Sequence, residues 1–188
     1  MIKSIANKYT HYIFDLDRTL VVLNINWSEL HEKEIEIFAQ HGIDYHFVST
    51  IDSNTRLNDL IRRDGDATRT QINDMIRHAE LSNLHGYTLI PRAVSFLKNL
   101  PNDTTKYIWT GNSLDTATKA LVDSDLMKYF EKIAARDNVP YTKPDPSGFD
   151  FLRDPTIPKS QYVMIGDSEN DEVASHNAGI DFIHVNTL

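Results

Sequence analysis

Four short motifs hold the residues of this chain that can do chemistry. They are YIFDLDRTL with Asp15 and Asp17, IWTGNS with Thr110, Gly111 and Asn112, TKPDP with Lys143, and MIGDSEND with Asp167 and Asp171. Together they offer a nucleophile, a second acid, hydroxyl and amide donors, a cation and a pair of carboxylates suited to a metal. Phosphate esters repel nucleophiles, so their cleavage rests on positioning and charge neutralisation. A carboxylate can still attack phosphorus and form an acyl phosphate, dividing one hard step into two easier ones. Asp15 is the candidate nucleophile. Asp17 suits the acid–base role, protonating the leaving oxygen and then deprotonating the attacking water. Thr19 is close enough to hold this turn through its hydroxyl.

Thr110-Gly111-Asn112 places a hydroxyl and backbone N–H groups where a strand gives way to a helix, an arrangement that binds phosphoryl oxygens. Lys143 supplies a compact charge for Asp15 and for phosphate. Asp167 and Asp171 are four residues apart and face one side once a helix starts. Two more acids beside Asp15 and Asp17 would repel one another without a cation, and magnesium suits oxygen ligands. The expected metal set is therefore Asp15, Asp17, Asp167 and Asp171. Each motif has an ordinary use as well. Asp-x-Asp is turn chemistry, Asn112 or Ser113 serves as a helix N-cap, a lone lysine is usually solvated, and acids in a first turn complement the helix dipole. None of these uses explains four such pieces in one chain, each following a strand.

The elements that must position them are legible in outline. Short β-rich runs cover His11–Phe14, Thr105–Trp109, Lys132–Ala134, Tyr162–Ile165 and Phe182–Val185. Helical patterns fall between them at Pro91–Leu100, Ser113–Val122, Pro146–Leu152 and Glu169–Asn177, the last closed by Gly179. Alternating strands and helices predict a parallel sheet covered on both faces, with ligands gathering at the carboxyl ends of its strands. Residues 24–86 read differently. Trp27–Gln40 is amphipathic, with Leu30, Ile35, Ile37 and Phe38 apolar. Asp44–Arg63 and Ala67–Leu81 also read as helices, separated by Asp64-Gly65-Asp66. A small helical module is thus expected between the first strand and the rest of the sheet.

Composition narrows the class. The 188 residues suffice for one substantial core plus an inserted module. Lys and Arg number 19 against 27 Asp and Glu, a net charge of -8 that argues against a nucleic-acid surface. Small phosphorylated ligands are not excluded, since local donors and a metal overcome a distant field. The absence of cysteine rules out disulfides and thiolate metal sites. The start, with Lys3 and Lys8, has no apolar run suited to a secretory signal, and no stretch is long and apolar enough to span a bilayer. The expectation is a soluble, cytoplasmic protein. The sequence carries no signal for its oligomeric state.

On these residues the chain resembles the haloacid dehalogenase superfamily, in its phosphatase branch. Asp15-Leu16-Asp17-Arg18-Thr19 is similar to that family's first motif, Thr110 to the second, Lys143 in Lys-Pro-Asp-Pro to the third, and Asp167 with Asp171 to the fourth. Intervals of 33 residues from Thr110 to Lys143 and 24 from Lys143 to Asp167 suit it. The resemblance implies a Rossmann-like doubly wound α/β core, residues 1–23 and 87–188, with a helical C1 cap at 24–86. It also implies a magnesium-dependent phosphomonoester hydrolase acting through an aspartyl-phosphate on a small phosphorylated metabolite. Arg18 and Arg92 stand where the family more often has glycine, which bears on substrate rather than on the catalytic set. A sugar phosphomutase of the same family shares the intermediate. From a different class, a phospho-accepting receiver or a phosphate-binding module shares the carboxylates, Thr and Lys. Receivers, however, need no helical cap.

Overall fold

The structure is a computed structural model that describes residues 8–188. Residues 1–7 of the expected core segment, Lys3 among them, lie outside the described residues. The chain runs through β1 (His11–Phe14), β2 (Val21–Leu23), α1 (Trp27–Gln40), α2 (Thr50–Asp64), α3 (Asp66–Asn83), β3 (Tyr87–Leu89), α4 (Pro91–Asn99) and β4 (Thr105–Trp109). It continues with α5 (Leu114–Asp123), β5 (Lys132–Ala134), α6 (Ser147–Leu152), β6 (Tyr162–Gly166), α7 (Glu169–Ala178) and β7 (Asp181–His184).

Five strands form a parallel sheet in the order β5-β4-β1-β6-β7. The first strand is therefore the central one. Phe14 pairs with Ile108 on one side and Ile165 on the other, so the ends of β1, β4 and β6 lie side by side. Alternation along the strands divides their side chains between two faces. Tyr12, Phe14, Ile108, Val163 and Ile165 pack with Phe96 and Leu97 of α4 and Ala117 and Leu121 of α5. Ile13, Tyr107, Trp109, Tyr162 and Met164 pack with Phe149 and Leu152 of α6 and Ala174 and Ala178 of α7. β6 is buried at every residue, as expected of a strand covered on both faces. Approach at α6 is close: a Cβ added at Gly148 would lie 2.1 Å from Nε1 of buried Trp109.

Helices α1–α3 carry a third apolar cluster, built from Leu30, Ile37, Phe38, Leu57, Leu60, Ile72 and Ile76. The run expected to be helical from Asp44 starts instead at Thr50, because Ser49 stops it as an N-cap accepting Asp52 N–H at 3.3 Å. β2 and β3 were not anticipated. They pair antiparallel on either side of the helical module, from Val21 with Leu89 to Leu23 with Tyr87. Three residues per strand are too few to show a period in sequence.

Candidate active site

The site forms where β1, β4 and β6 end. Asp15 follows β1 at once and its N–H continues the ladder to Ile165 O at 2.9 Å. The next turn is held by backbone bonds from Leu20 and Val21 N–H to Leu16 O at 2.9 and 3.1 Å. Thr19 does not hold it as expected: its buried hydroxyl has no hydrogen-bond partner among the described residues. Arg18 has φ 61°, in the left-handed region that glycine adopts freely and an L side chain only at a cost. Its guanidinium lies 4.0 Å from Asp17 Oδ2.

Lys143 lies at the centre of the buried charges. Its ammonium donates to Asp15 Oδ1 at 2.7 Å and to Asp171 Oδ1, with all three side chains buried. Asp171 is also the far half of a capping box at the start of α7, its Oδ2 accepting Ser168 N–H at 3.1 Å and Ser168 Oγ–H at 2.6 Å. Oxygens of Asp15, Asp167 and Asp171 lie within 4.8 Å of one another. Burial drives the Asp15 carboxyl upward against the pull of Lys143, and Asp171 and Asp167 add to the rise. Asp167 is raised by burial and by Asp171. Burial alone would lower Lys143, but the two carboxylates outweigh it and hold the ammonium above the ordinary lysine value. Burial thus raises the two carboxyls, whereas at Lys143 the facing carboxylates outweigh it.

This donor set fits a hard divalent cation, since carboxylate oxygens in excess of positive charge suit magnesium. Asn170, which lines the same cavity, adds a buried Oδ1 that has no hydrogen-bond partner among the described residues. Asp17 is not part of the three-acid cluster. Its Oδ1 accepts Leu23 N–H at 2.7 Å, which anchors it to β2. Burial pushes its carboxyl up to about 6, partly opposed by that hydrogen bond and by Arg18.

The loop after β4 is folded on itself. Thr110 Oγ1 donates to Asn112 Oδ1 at 3.0 Å and accepts Asn112 N–H at 3.1 Å. Ser113 is the N-cap of α5. Gly111 and Asn112 line the cavity, whereas Thr110 is buried and does not.

The cavity measures about 480 Å³ and lies between the strand ends and the helical module, which contributes Trp27, Leu30, His31, Phe47, Asn54 and Glu80. His31 stacks on Phe47 with ring centres 3.7 Å apart. Arg62, Arg63 and Arg69 of the module do not line it. They pair with Asp59 and Asp145, with Asp64, and with Asp66. His78 and His85 do not line it either. The module is clamped to the loops that carry Gly111 and Lys143 by side chains outside the four motifs. Asn58 exchanges two hydrogen bonds with the Thr142 backbone, at 2.8 and 3.1 Å, one residue before Lys143. Arg136 joins Gly111 O at 2.8 Å to Asn54 Oδ1 at 3.3 Å. Their one sequence signal is polarity within an apolar stripe: Asn54 and Asn58 alternate with Leu57 and Ile61, and Glu80 is four residues after Ile76.

The profile of the haloacid dehalogenase-like hydrolase family matches residues 12–185. The chain belongs to that family, and is an enzyme of the hydrolase class. No curated protein matches it. Solved structures do. A predicted phosphoglycolate phosphatase from Haemophilus somnus is 18% identical, with TM-score 0.62 over 95% of this chain and 85% of that one. A HAD-superfamily hydrolase from Ehrlichia chaffeensis is 21% identical, with TM-score 0.58 over 94% and 86%. The magnesium-bound YfnB from Bacillus subtilis, whose structure reveals interdomain movement, is 19% identical, with TM-score 0.53 over 94% and 86%. At these identities the likeness establishes the shared fold. No helix among the described residues is long and apolar enough to cross a membrane.

Proposed function

We propose that the protein is a magnesium-dependent phosphomonoesterase acting on a small phosphorylated metabolite through phosphorylation of Asp15. The observation that carries this reading is the Lys143 ammonium bridging Asp15 and Asp171, with Asp167 beside them, at the end of the central strand. Asp15 attacks phosphorus. Asp17, anchored on Leu23 N–H with its carboxyl raised to about 6, protonates the departing oxygen and afterwards takes a proton from water. Lys143 holds the Asp15 carboxylate in place and neutralises phosphate charge. Asp15 and Asp167 would hold the ion, with Asn170 facing the same cavity. Asp171 serves mainly to orient Lys143, its second oxygen being tied to Ser168. The ion, when bound, supplies the positive charge that offsets the excess of carboxylates and the phosphoryl oxygens. Gly111 and Asn112 form the phosphate-facing surface of the second motif. Residues 24–86 act as the cap, with 1–23 and 87–188 as the core.

Purified protein should hydrolyse p-nitrophenyl phosphate with added magnesium and lose that activity in excess chelator. Full activity under chelation would overturn the metal assignment. The ring-lined wall from the cap, rather than the paired arginines, should select the leaving group. Phe47→Ala is expected to reorder kcat/KM across a panel of phosphorylated metabolites, phosphoglycolate included, by about tenfold, the scale of a few methylene-sized contacts. Arg63→Ala, which alters only a contact with Asp64 and His41, should leave the order unchanged.

A further inference from the structure

Glu80, on the last turns of α3, is an acid that the phosphatase reading does not use. It is only 1% exposed and lines the cavity. All three of its hydrogen-bond donors come from the loop after β4. Oε2 accepts Ser113 N–H at 2.9 Å and Ser113 Oγ–H at 2.6 Å, and Oε1 accepts Asn112 Nδ2–H at 3.2 Å. Placing an acid there costs more than placing a neutral group, although the N-terminus of α5 offsets part of the cost. Docking alone would be served by glutamine. What the acid adds is direction. A carboxylate can only accept, so the Asn112 amide nitrogen must face it. Asn112 Oδ1 is then left for Thr110, whose hydroxyl donates to it and accepts Asn112 N–H.

We infer that Glu80 is a positioning residue: a cap carboxylate that fixes the orientation of Asn112, and through it of the Thr110 hydroxyl, whenever α3 is seated on the core. The second-motif loop is then fully ordered only with the cap in place. The inference rests on the phosphatase reading for the use of that loop, but not for the hydrogen-bond chain itself. Glutamine at position 80 has nearly the same shape and keeps an acceptor for Ser113. Its amide must face Asn112, however, which turns the Asn112 side chain over and presents Thr110 with a donor in place of an acceptor.

The test compares Glu80→Gln, Glu80→Ala and Asn112→Ala, singly and with position 80 combined with 112. Four quantities are read: the unfolding temperature, kcat/KM on p-nitrophenyl phosphate, inhibition by inorganic phosphate with magnesium present, and exchange protection of the Asn112 backbone N–H by NMR. Glu80→Gln should keep the wild-type unfolding temperature and weaken phosphate inhibition about tenfold to a hundredfold, the range for losing a hydrogen bond to a charged group. Adding Asn112→Ala should cost little more. Wild-type phosphate affinity in Glu80→Gln, or strict additivity with Asn112→Ala, would overturn the inference, and so would a defect confined to Glu80→Ala. A wild-type protein that neither hydrolyses the ester nor binds phosphate sinks the phosphatase reading instead. The chain of hydrogen bonds is then judged by exchange alone, where unchanged protection of Asn112 N–H in Glu80→Gln counts against it.

Discussion

Asp15→Asn is expected to abolish turnover, by about a thousandfold or more, while leaving the protein folded. The amide is nearly isosteric but is a poor nucleophile and a weaker partner for a divalent ion. Loss of the fold is not the expected cause. The carboxyl is buried among other acids and displaced upward, so its ionised form opposes folding near neutral pH in the absence of metal. A neutral side chain relieves that repulsion, while Lys143 keeps Asp171 as a partner. The variant should therefore unfold at no lower temperature than wild type when both are in chelator. Magnesium should raise the wild-type midpoint, by preferential binding to the folded state, and raise that of the variant less. Wild-type turnover in Asp15→Asn would end the nucleophile assignment. A collapse of the unfolding temperature in chelator would end the account of the charge cluster.

The core was legible because its strands are short, mostly apolar runs bounded by turn residues, and because three of the four motifs begin where a strand ends, Lys143 lying instead in the loop between β5 and α6. Tyr162–Ile165 followed by Gly166-Asp167 shows both signals within six residues. What could not be read has two physical causes. β2 and β3 gain their strand character from pairing with each other across the whole helical module, which leaves no local pattern in either. The clamps between module and core use Asn54, Asn58 and Glu80, whose partners are backbone groups or side chains tens of residues away. In sequence they look like the polar face of a helix. Their burial depends on which side of each helix meets the core, and periodicity gives a stripe without naming its partner. Asp17 shows the same limit: its spacing from Asp15 says nothing of β2, whose Leu23 N–H donates to its Oδ1.

That anchor makes Asp17→Asn the more discriminating variant. An asparagine oxygen can still accept Leu23 N–H, so the turn and β2 should persist. What is lost is the proton. With an alkyl phosphate, whose leaving oxygen needs protonation, turnover should fall about a hundredfold to ten-thousandfold, the usual worth of a positioned acid–base group. With p-nitrophenyl phosphate the leaving group departs unaided, so Asp15 is still phosphorylated, and the water that should release it has no base. The expected time course is a burst of nitrophenolate approaching one equivalent per enzyme, followed by slow turnover. Rapid quench and peptide mass spectrometry should then find one phosphoryl group on the peptide carrying Asp15, borne by Asp15 itself and not by Thr19. Label on Thr19 or on Thr110 would place the nucleophile elsewhere. If both esters turn over at wild-type rates, Asp17 is not the acid–base group, and its anchorage to β2 only shapes the turn that presents Asp15.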